Sequence, residues 1–107
     1  MSIVMTETYV VKAESQAEFA PLLGRFLKYK EEHPHLFEGM KSWKLYHQEI
    51  GRPSGLYIEM LEFESLAKME EFGGRAFADE GMRELHAAFH AIFEPATFAL
   101  SIWRPVA

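Results

Sequence analysis

Residues 56–63 read Leu-Tyr-Ile-Glu-Met-Leu-Glu-Phe, a strand-like run that carries apolar side chains on both of its faces. Successive side chains of a strand point to opposite sides of the sheet. The apolar residues alternate accordingly, with Tyr57, Leu61 and Phe63 on one side and Leu56, Ile58 and Met60 on the other. Both sides of this strand must therefore be covered, and one layer of helices covers only one side.

Three more runs have the composition of strands, because they are rich in β-branched and aromatic residues: residues 3–12, 40–50 and 97–103. Residues 51–55 read Gly-Arg-Pro-Ser-Gly and supply a turn, so we expect a hairpin between the second strand and the third.

Two helical regions are predicted between the strands. The first begins at Ser15 with the capping-box pattern Ser-x-x-Glu and ends near His33, since a proline follows. The second begins at Ser65, is interrupted by the Gly-Gly pair at 73–74, and continues up to Pro95.

The element order βαββαβ predicts an α+β, ferredoxin-like fold with a four-stranded antiparallel sheet and both helical regions on one face. The other apolar face needs a cover from outside the chain. Two sheets packed face to face in a symmetric homodimer provide it. At 107 residues, we expect residues 1–107 to form a single domain.

The composition of the chain excludes several kinds of partner and site. A net charge of −5 argues against nucleic acid as a partner, and the lack of cysteine excludes disulfides, thiolate metal sites and a cysteine nucleophile. No apolar run approaches the roughly 20 residues that cross a membrane, so no membrane partner is expected. The first residues lack a basic segment followed by an apolar run, and we therefore expect no signal peptide and a cytoplasmic protein.

With this pattern the chain resembles the dimeric α/β-barrel superfamily, especially its antibiotic-biosynthesis-monooxygenase-like and NIPSNAP-like members. The resemblance covers nearly the whole chain. It rests on length, element order and residues 63–72, Phe-Glu-Ser-Leu-Ala-Lys-Met-Glu-Glu-Phe, a strand that runs into a capped helix. It implies a homodimer of α/β-barrel domains. The superfamily includes cofactor-independent oxygenases of polycyclic phenols, haem-degrading oxygenases and isomerases, and fold alone does not choose among them.

The haem-degrading branch can be compared residue by residue. Its members carry an Asn on the first strand, a Trp in the second helical region and a His further along that region. Approximate matching places Glu7, Phe72 and His86 at these positions. Only the His is kept, so oxygenation of a ruffled haem is not expected, although His86 can still ligate a metal porphyrin.

Two histidines and a glutamate, His86, His90 and Glu94, follow one another at four-residue spacing. Two imidazoles at this spacing can hold one zinc ion. Glu94 lies about 12 Å along the helix axis from His86, so the three cannot serve one ion, and no metal site is predicted. On a helical wheel His86 borders the apolar stripe and His90 lies further out. His86 is then either an edge residue beside the core or a polar group of a pocket.

Glu59 lies between Tyr57 and Leu61 on one face of the third strand, in apolar company. Burial raises the pKa of such a carboxyl group, which can then act as a general base. The alternative is that Glu59 pairs with a Lys, an Arg or a Tyr hydroxyl, or faces a wet interior. Glu7 shares a face of the first strand with Tyr9, and these two strands are neighbours in this fold. Glu7 and Glu59 are therefore candidates for a carboxyl pair.

Aromatic side chains suit a flat, apolar ligand. The predicted ligand-binding residues are Tyr9, Trp43, Phe72 and Phe89. Trp43 shares its strand face with His47, and the alternative is that Trp43 anchors an interface while His47 is an edge residue. Trp103 is expected in an interface or in the core.

Three functions remain open from the sequence. The first is a cofactor-independent monooxygenase acting on an aromatic or apolar small molecule, with Glu7 or Glu59 as the base, His86, Tyr9 and Trp43 orienting the substrate, and no cofactor or metal. The second is a non-catalytic homodimer that binds a ligand or a partner. The third is a haem- or metal-binding protein that uses His86. A large enclosed cavity lined by Glu59 or His86 favours the first, and solid packing favours the second.

Overall fold

The computed structural model describes residues 2–107 and contains one antiparallel sheet of four strands. The strands are β1 (Ile3–Tyr9), β2 (Met40–His47), β3 (Tyr57–Phe63) and β4 (Ala99–Trp103), in the order β2-β3-β1-β4. All four predicted strands are present, and each is shorter than predicted. The first loses its last residues because Val11, beyond β1, forms only an isolated bridge to Phe93.

Three α-helices lie against one face of this sheet: α1 (Gln16–Glu32), α2 (Leu66–Ala78) and α3 (Glu80–Ile92). Short 3-10 turns precede α1 at Ala13–Ser15 and follow it at Pro34–Phe37. The predicted α+β, ferredoxin-like class is confirmed, since the strands and helices alternate as βαββαβ with the second helical region divided in two.

The predicted capping box at the start of α1 is wrong. Ser15 closes a 3-10 turn with φ −111° and ψ 5°, and its side chain makes no capping hydrogen bond. A capping serine normally adopts extended backbone geometry so that its oxygen reaches the following amides. The end of the helix is as predicted, with His33 as its C-terminal cap. Ser65 does cap α2, accepting a hydrogen bond from the Lys68 amide at 3.2 Å.

The break in the second helical region lies at Asp79, and the prediction of a break at residues 73–74 is wrong. Both glycines are helical within α2. Asp79 has an extended backbone, and its carboxylate accepts a hydrogen bond from the Met82 amide at 2.9 Å. The Tyr29 hydroxyl donates to the same oxygen at 2.5 Å. The helix is therefore interrupted by the Asp79 cap, which Tyr29 of α1 holds in place, and not by the flexibility of the two glycines.

Two hydrophobic clusters fill the space between sheet and helices. The first contains Tyr9, Val11, Phe19, Leu22, Leu85, Ile92 and Phe93. The second contains Leu36, Phe37, Leu61, Phe63 and Phe72. Phe26 and Tyr29 of α1 pack against both clusters, and the site described below lies where the two meet.

The outer face of the sheet has no covering element within the described residues. Trp103 lies on this face with 56% of its surface exposed, and its indole N–H donates to the Thr6 hydroxyl at 2.7 Å. Trp103 is therefore not a core residue of the chain, which leaves its predicted interface role open. Tyr46, on the same face, is 51% exposed.

Within residues 2–107, none of the helices has the length and apolar character needed to cross a lipid bilayer.

Candidate functional site

A cavity of about 500 Å³ lies between the sheet and the three helices. Sheet side chains form its floor, and aromatic and aliphatic side chains of the helices form its walls. All seven residues predicted for the site line this one cavity: Glu7, Tyr9, Trp43, Glu59, Phe72, His86 and Phe89. The structure brings these residues together, while their chemical roles stay predictions.

Two carboxyl groups meet on the floor of the cavity. Glu7 of β1 lies directly opposite Glu59 of β3 in the antiparallel register, so both side chains point to the same face of the sheet. They hydrogen bond to each other. The Trp43 indole N–H donates to the Glu59 carboxylate at 2.8 Å. The partner of Glu59 is thus an indole and a second carboxyl group, rather than the Lys, Arg or Tyr hydroxyl considered from the sequence.

Burial changes the protonation of this pair. It raises the pKa of Glu7 to about 8, and the negative charge of Glu59 and the hydrogen bond between them act in the same direction. Burial also raises the pKa of Glu59, but the hydrogen bonds from Glu7 and Trp43 favour its ionised form and oppose the rise. Both carboxyl groups are therefore harder to ionise than an exposed glutamate, and the hydrogen bonds to Glu59 make Glu7 the member of the pair that holds a proton more readily.

Tyr9 is buried beside the carboxyl pair, with 3% of its surface exposed. Its ring stacks on Phe93 at 3.8 Å and on Tyr57 at 5.7 Å between ring centroids. Burial raises the pKa of the Tyr9 hydroxyl, and the charges of Glu59 and Glu7 raise it further. Tyr9 therefore keeps its proton and remains a hydrogen-bond donor at the floor of the cavity.

The two histidines of α3 lie side by side, with ring centroids 4.2 Å apart. His86 is exposed and His90 is half-buried, the reverse of the predicted order. The reason is that Phe98, just before β4, folds over this end of α3 and contacts His90 at 4.6 Å between ring centroids. Burial, followed by the charge of His86, lowers the pKa of His90. Within residues 2–107, no third ligand joins the two imidazoles to form a metal-binding group.

His47 lies outside the cavity lining, although the sequence paired it with Trp43. It is exposed and stacks on Tyr57 at 4.2 Å between ring centroids. Sequence reasoning also missed a residue. Arg83 lines the cavity on α3, and its Nη1 donates to the Phe77 carbonyl at 2.8 Å. The spacing of Arg83, His86 and His90, three and then four residues, is the signal that places them on one helix face.

This protein is similar to known proteins in its structure and not detectably in its sequence. The sequence matches no protein-family model and no curated protein sequence. Solved structures do match. A NIPSNAP family protein from Agrobacterium tumefaciens is 19% identical, with a TM-score of 0.74 over 99% of this chain and 94% of that chain. A putative antibiotic biosynthesis monooxygenase from Caulobacter crescentus is 17% identical, with a TM-score of 0.72 over 99% and 91%.

A third similar structure is a cofactor-independent oxygenase from Streptomyces nogalater, which is 13% identical with a TM-score of 0.69 over 99% of this chain and 94% of that chain. At these identities the likeness concerns the fold, and it agrees with the superfamily that the sequence resembles. This protein has the ferredoxin-like α+β fold of antibiotic biosynthesis monooxygenase-like and NIPSNAP proteins.

Proposed function

We propose that this protein is a small-molecule enzyme that uses the Glu7–Glu59 pair as a general base on a largely apolar, aromatic substrate. The reaction that fits best is a cofactor-independent monooxygenation. The observation that carries the proposal is the pair of adjacent carboxyl groups, Glu7 and Glu59, at the floor of a roomy, mostly apolar cavity that raises the pKa of both. The space between sheet and helices is not solidly packed, and both Glu59 and His86 line it, which supports an enzyme over a non-catalytic protein, although the cavity opens to solvent on one side and is not fully enclosed.

Cofactor-independent oxygenation needs a substrate that can become a carbanion. The Glu59 carboxylate removes a proton from an activated methylene, and its raised pKa makes it a stronger base than an exposed glutamate. The carbanion supplies the electrons that reduce dioxygen and forms a C–O bond to it. Protonation gives a hydroperoxide, and loss of water leaves a carbonyl. The balance is one methylene plus one dioxygen to one carbonyl plus one water.

The neighbouring donors have roles in this scheme. Trp43 holds the Glu59 carboxylate in place through its indole N–H, so that the base does not rotate away from the substrate. Tyr9 keeps its proton and can stabilise the developing anion by a hydrogen bond. Phe72 and Phe89 lie in the cavity walls, where they can hold a flat ring system.

The proposal includes a homodimer of single-domain chains, with residues 1–107 as the domain and the outer sheet faces packed together. The outer apolar face supports it, since Ile58 and Met60 of β3 lie there with no element of the same chain over them. The solved structures of this fold are consistent with a small-molecule-binding site.

The test is oxygen consumption with an anthrone as probe, because an anthrone is a flat carbon acid with one activated methylene. We expect turnover by the native chain and a loss of about 100-fold in E59Q, the size of a typical general-base contribution. The control is E70Q, at an exposed glutamate of α2. An E59Q variant with the native rate would contradict the proposed base. Anthrone binding without turnover in the native chain would favour the non-catalytic alternative.

A further inference from the structure

The cavity has a polar wall besides its carboxyl floor. Arg83, His86 and His90 occupy one face of α3, and all three line the cavity. Arg83 and His86 are exposed, so this part of the lining is the side that opens to solvent. We call these three residues the basic rim.

Within the described residues, no carboxylate forms an ion pair with the basic rim. The carboxyl groups among the cavity-lining residues are Glu7 and Glu59, and these are bonded to each other and to Trp43. The ion pairs found in residues 2–107 are Lys41–Glu62 and Lys68–Glu71, both away from the rim.

Arg83 is held in position at the rim. Its Nη1 donates to the Phe77 carbonyl, the next-to-last residue of α2, at 2.8 Å. A guanidinium has five N–H donors in a planar fork, so this bond leaves others for a ligand. Phe77 is itself 79% exposed beside the opening, and Leu100 of β4, also in the lining, is 50% exposed. The Arg83 guanidinium therefore lies next to the exposed apolar side chains of Phe77 and Leu100.

We propose that the basic rim binds the anionic group of an amphipathic organic acid whose apolar body fills the cavity. The ligand class is a flat carboxylate, or an equivalent organic anion, with a hydroxyl or carbonyl group at its far end facing Tyr9 and the carboxyl pair. Arginine suits this task because its fork matches both oxygens of a carboxylate. The inference rests on the proposed function in one respect, that the cavity is a small-molecule site.

The test uses two fluorescent probes that share one ring system. Anilinonaphthalene sulfonate carries an anionic group, and phenylnaphthylamine lacks it. We expect R83Q to weaken binding of the sulfonate by about tenfold, as the loss of one charge-assisted hydrogen bond predicts, and to leave the neutral probe unchanged. R83K keeps the charge but loses the planar fork, so it should retain an affinity for the sulfonate between those of the native chain and R83Q. R83Q also removes the guanidinium N–H that donates to the Phe77 carbonyl, so its fold is checked by circular dichroism.

Two further variants make the outcomes distinct. R25Q removes the same charge from α1, outside this cavity lining, and should change neither affinity. A76W places bulk in the cavity and should abolish binding of both probes, with the fold checked by circular dichroism.

If both probes bind in the cavity and R83Q affects them equally, the basic rim is overturned and the proposed function stands. If neither probe binds, or A76W leaves binding intact, the cavity is not a ligand site and both proposals fall.

Discussion

Glu7 is a carboxyl group that loses its proton much less readily in the folded protein than in the unfolded chain. Its pKa is raised to about 8 by burial and by Glu59, whereas in the unfolded chain it has the ordinary value of 4.5. Below about pH 4.5 the group is protonated in both states. As the pH rises from 4.5 to 8 the unfolded chain loses this proton while the folded chain keeps it. The contribution of Glu7 to the free energy of unfolding therefore decreases across this window.

This predicts a pH-dependent effect of E7Q, because glutamine stays neutral and can still donate a hydrogen bond to Glu59. Relative to the native chain, E7Q should gain roughly 2–4 kcal/mol of stability between pH 5 and pH 8. The measurement is urea denaturation at the two pH values. E70Q on the exposed side of α2 is the control and should show a much smaller change. Equal behaviour of the two variants would argue that Glu7 is not held neutral in the folded protein.

Trp43 and Glu59 form the second testable contact at this scale. W43F keeps an aromatic ring beside Phe26, which lies 5.6 Å from Trp43 between ring centroids, but removes the N–H that reaches Glu59. Hydrogen bonds to charged groups contribute about 1.5–3 kcal/mol. We expect a coupling free energy of about 1–2 kcal/mol at pH 8 in a double-mutant cycle with E59Q. Additive effects would mean that the indole and the carboxylate do not interact in solution.

At the scale of the elements, the junction of α2 and α3 depends on Gly81, because the absence of a side chain there leaves room for the ring of Tyr29. A Cβ at Gly81 would overlap the Tyr29 ring and hydroxyl. The bare backbone lets Tyr29 reach from α1 to Asp79, which also caps the Met82 amide. Tyr29 stacks in turn on His33 at 3.9 Å between ring centroids. One glycine thus permits the contact that links α1 to the start of α3.

We therefore expect G81A to destabilise the protein, although alanine is the better helix former. The matched control is G24A in α1, where an added methyl group meets nothing within 4 Å. G24A should stabilise by about 0.5–1 kcal/mol, so the two substitutions have opposite signs. A second readout is the pKa of Tyr29, which the hydrogen bond to Asp79 raises to about 12 and which should fall toward 10 in G81A. Equal stabilisation by both alanines would show that the Tyr29 contact is dispensable.

For the whole molecule, the outer sheet face decides the state of assembly. Apolar burial contributes about 25 cal/mol per Å², and a domain is stable by only about 5–15 kcal/mol. If the outer face stayed exposed to water, the protein would lose the stabilising free energy of burying its apolar side chains, and we propose the homodimer for this reason.

M60K places a charge on that face and should give a monomer by light scattering at micromolar concentration. L66K, at an exposed leucine of α2, is the control and should leave the dimer intact. A native chain that is monomeric under these conditions would contradict the proposal.

The sequence predicts a cavity residue where its position follows from the alternation of side chains along a strand or from their spacing along a helix. Alternation put Glu7 and Tyr9 on one face, and the ferredoxin-like strand order made β1 and β3 neighbours. Residues 1–107 as one domain stays a prediction. Arg83 was missed because a charged residue on a helix is normally expected to face solvent, and the sequence does not show that the cavity opens beside it. The burial of His90 was misjudged because Phe98, which covers it, lies beyond the end of α3, where the chain folds back after the turn at Pro95–Thr97.

The sequence by itself determined the element order, the fold class and the sides on which strand residues lie, because these depend on spacing along a few neighbouring residues. Only the tertiary structure decided that burial raises the pKa of both Glu7 and Glu59, that Asp79 breaks the second helical region, and that Arg83 lines the cavity opening with the two histidines. The first two depend on contacts between segments that are distant in the sequence, and the third depends on where the cavity lies beside α3. Burial and hydrogen-bond distance, which set protonation and capping, exist only once those segments have packed together.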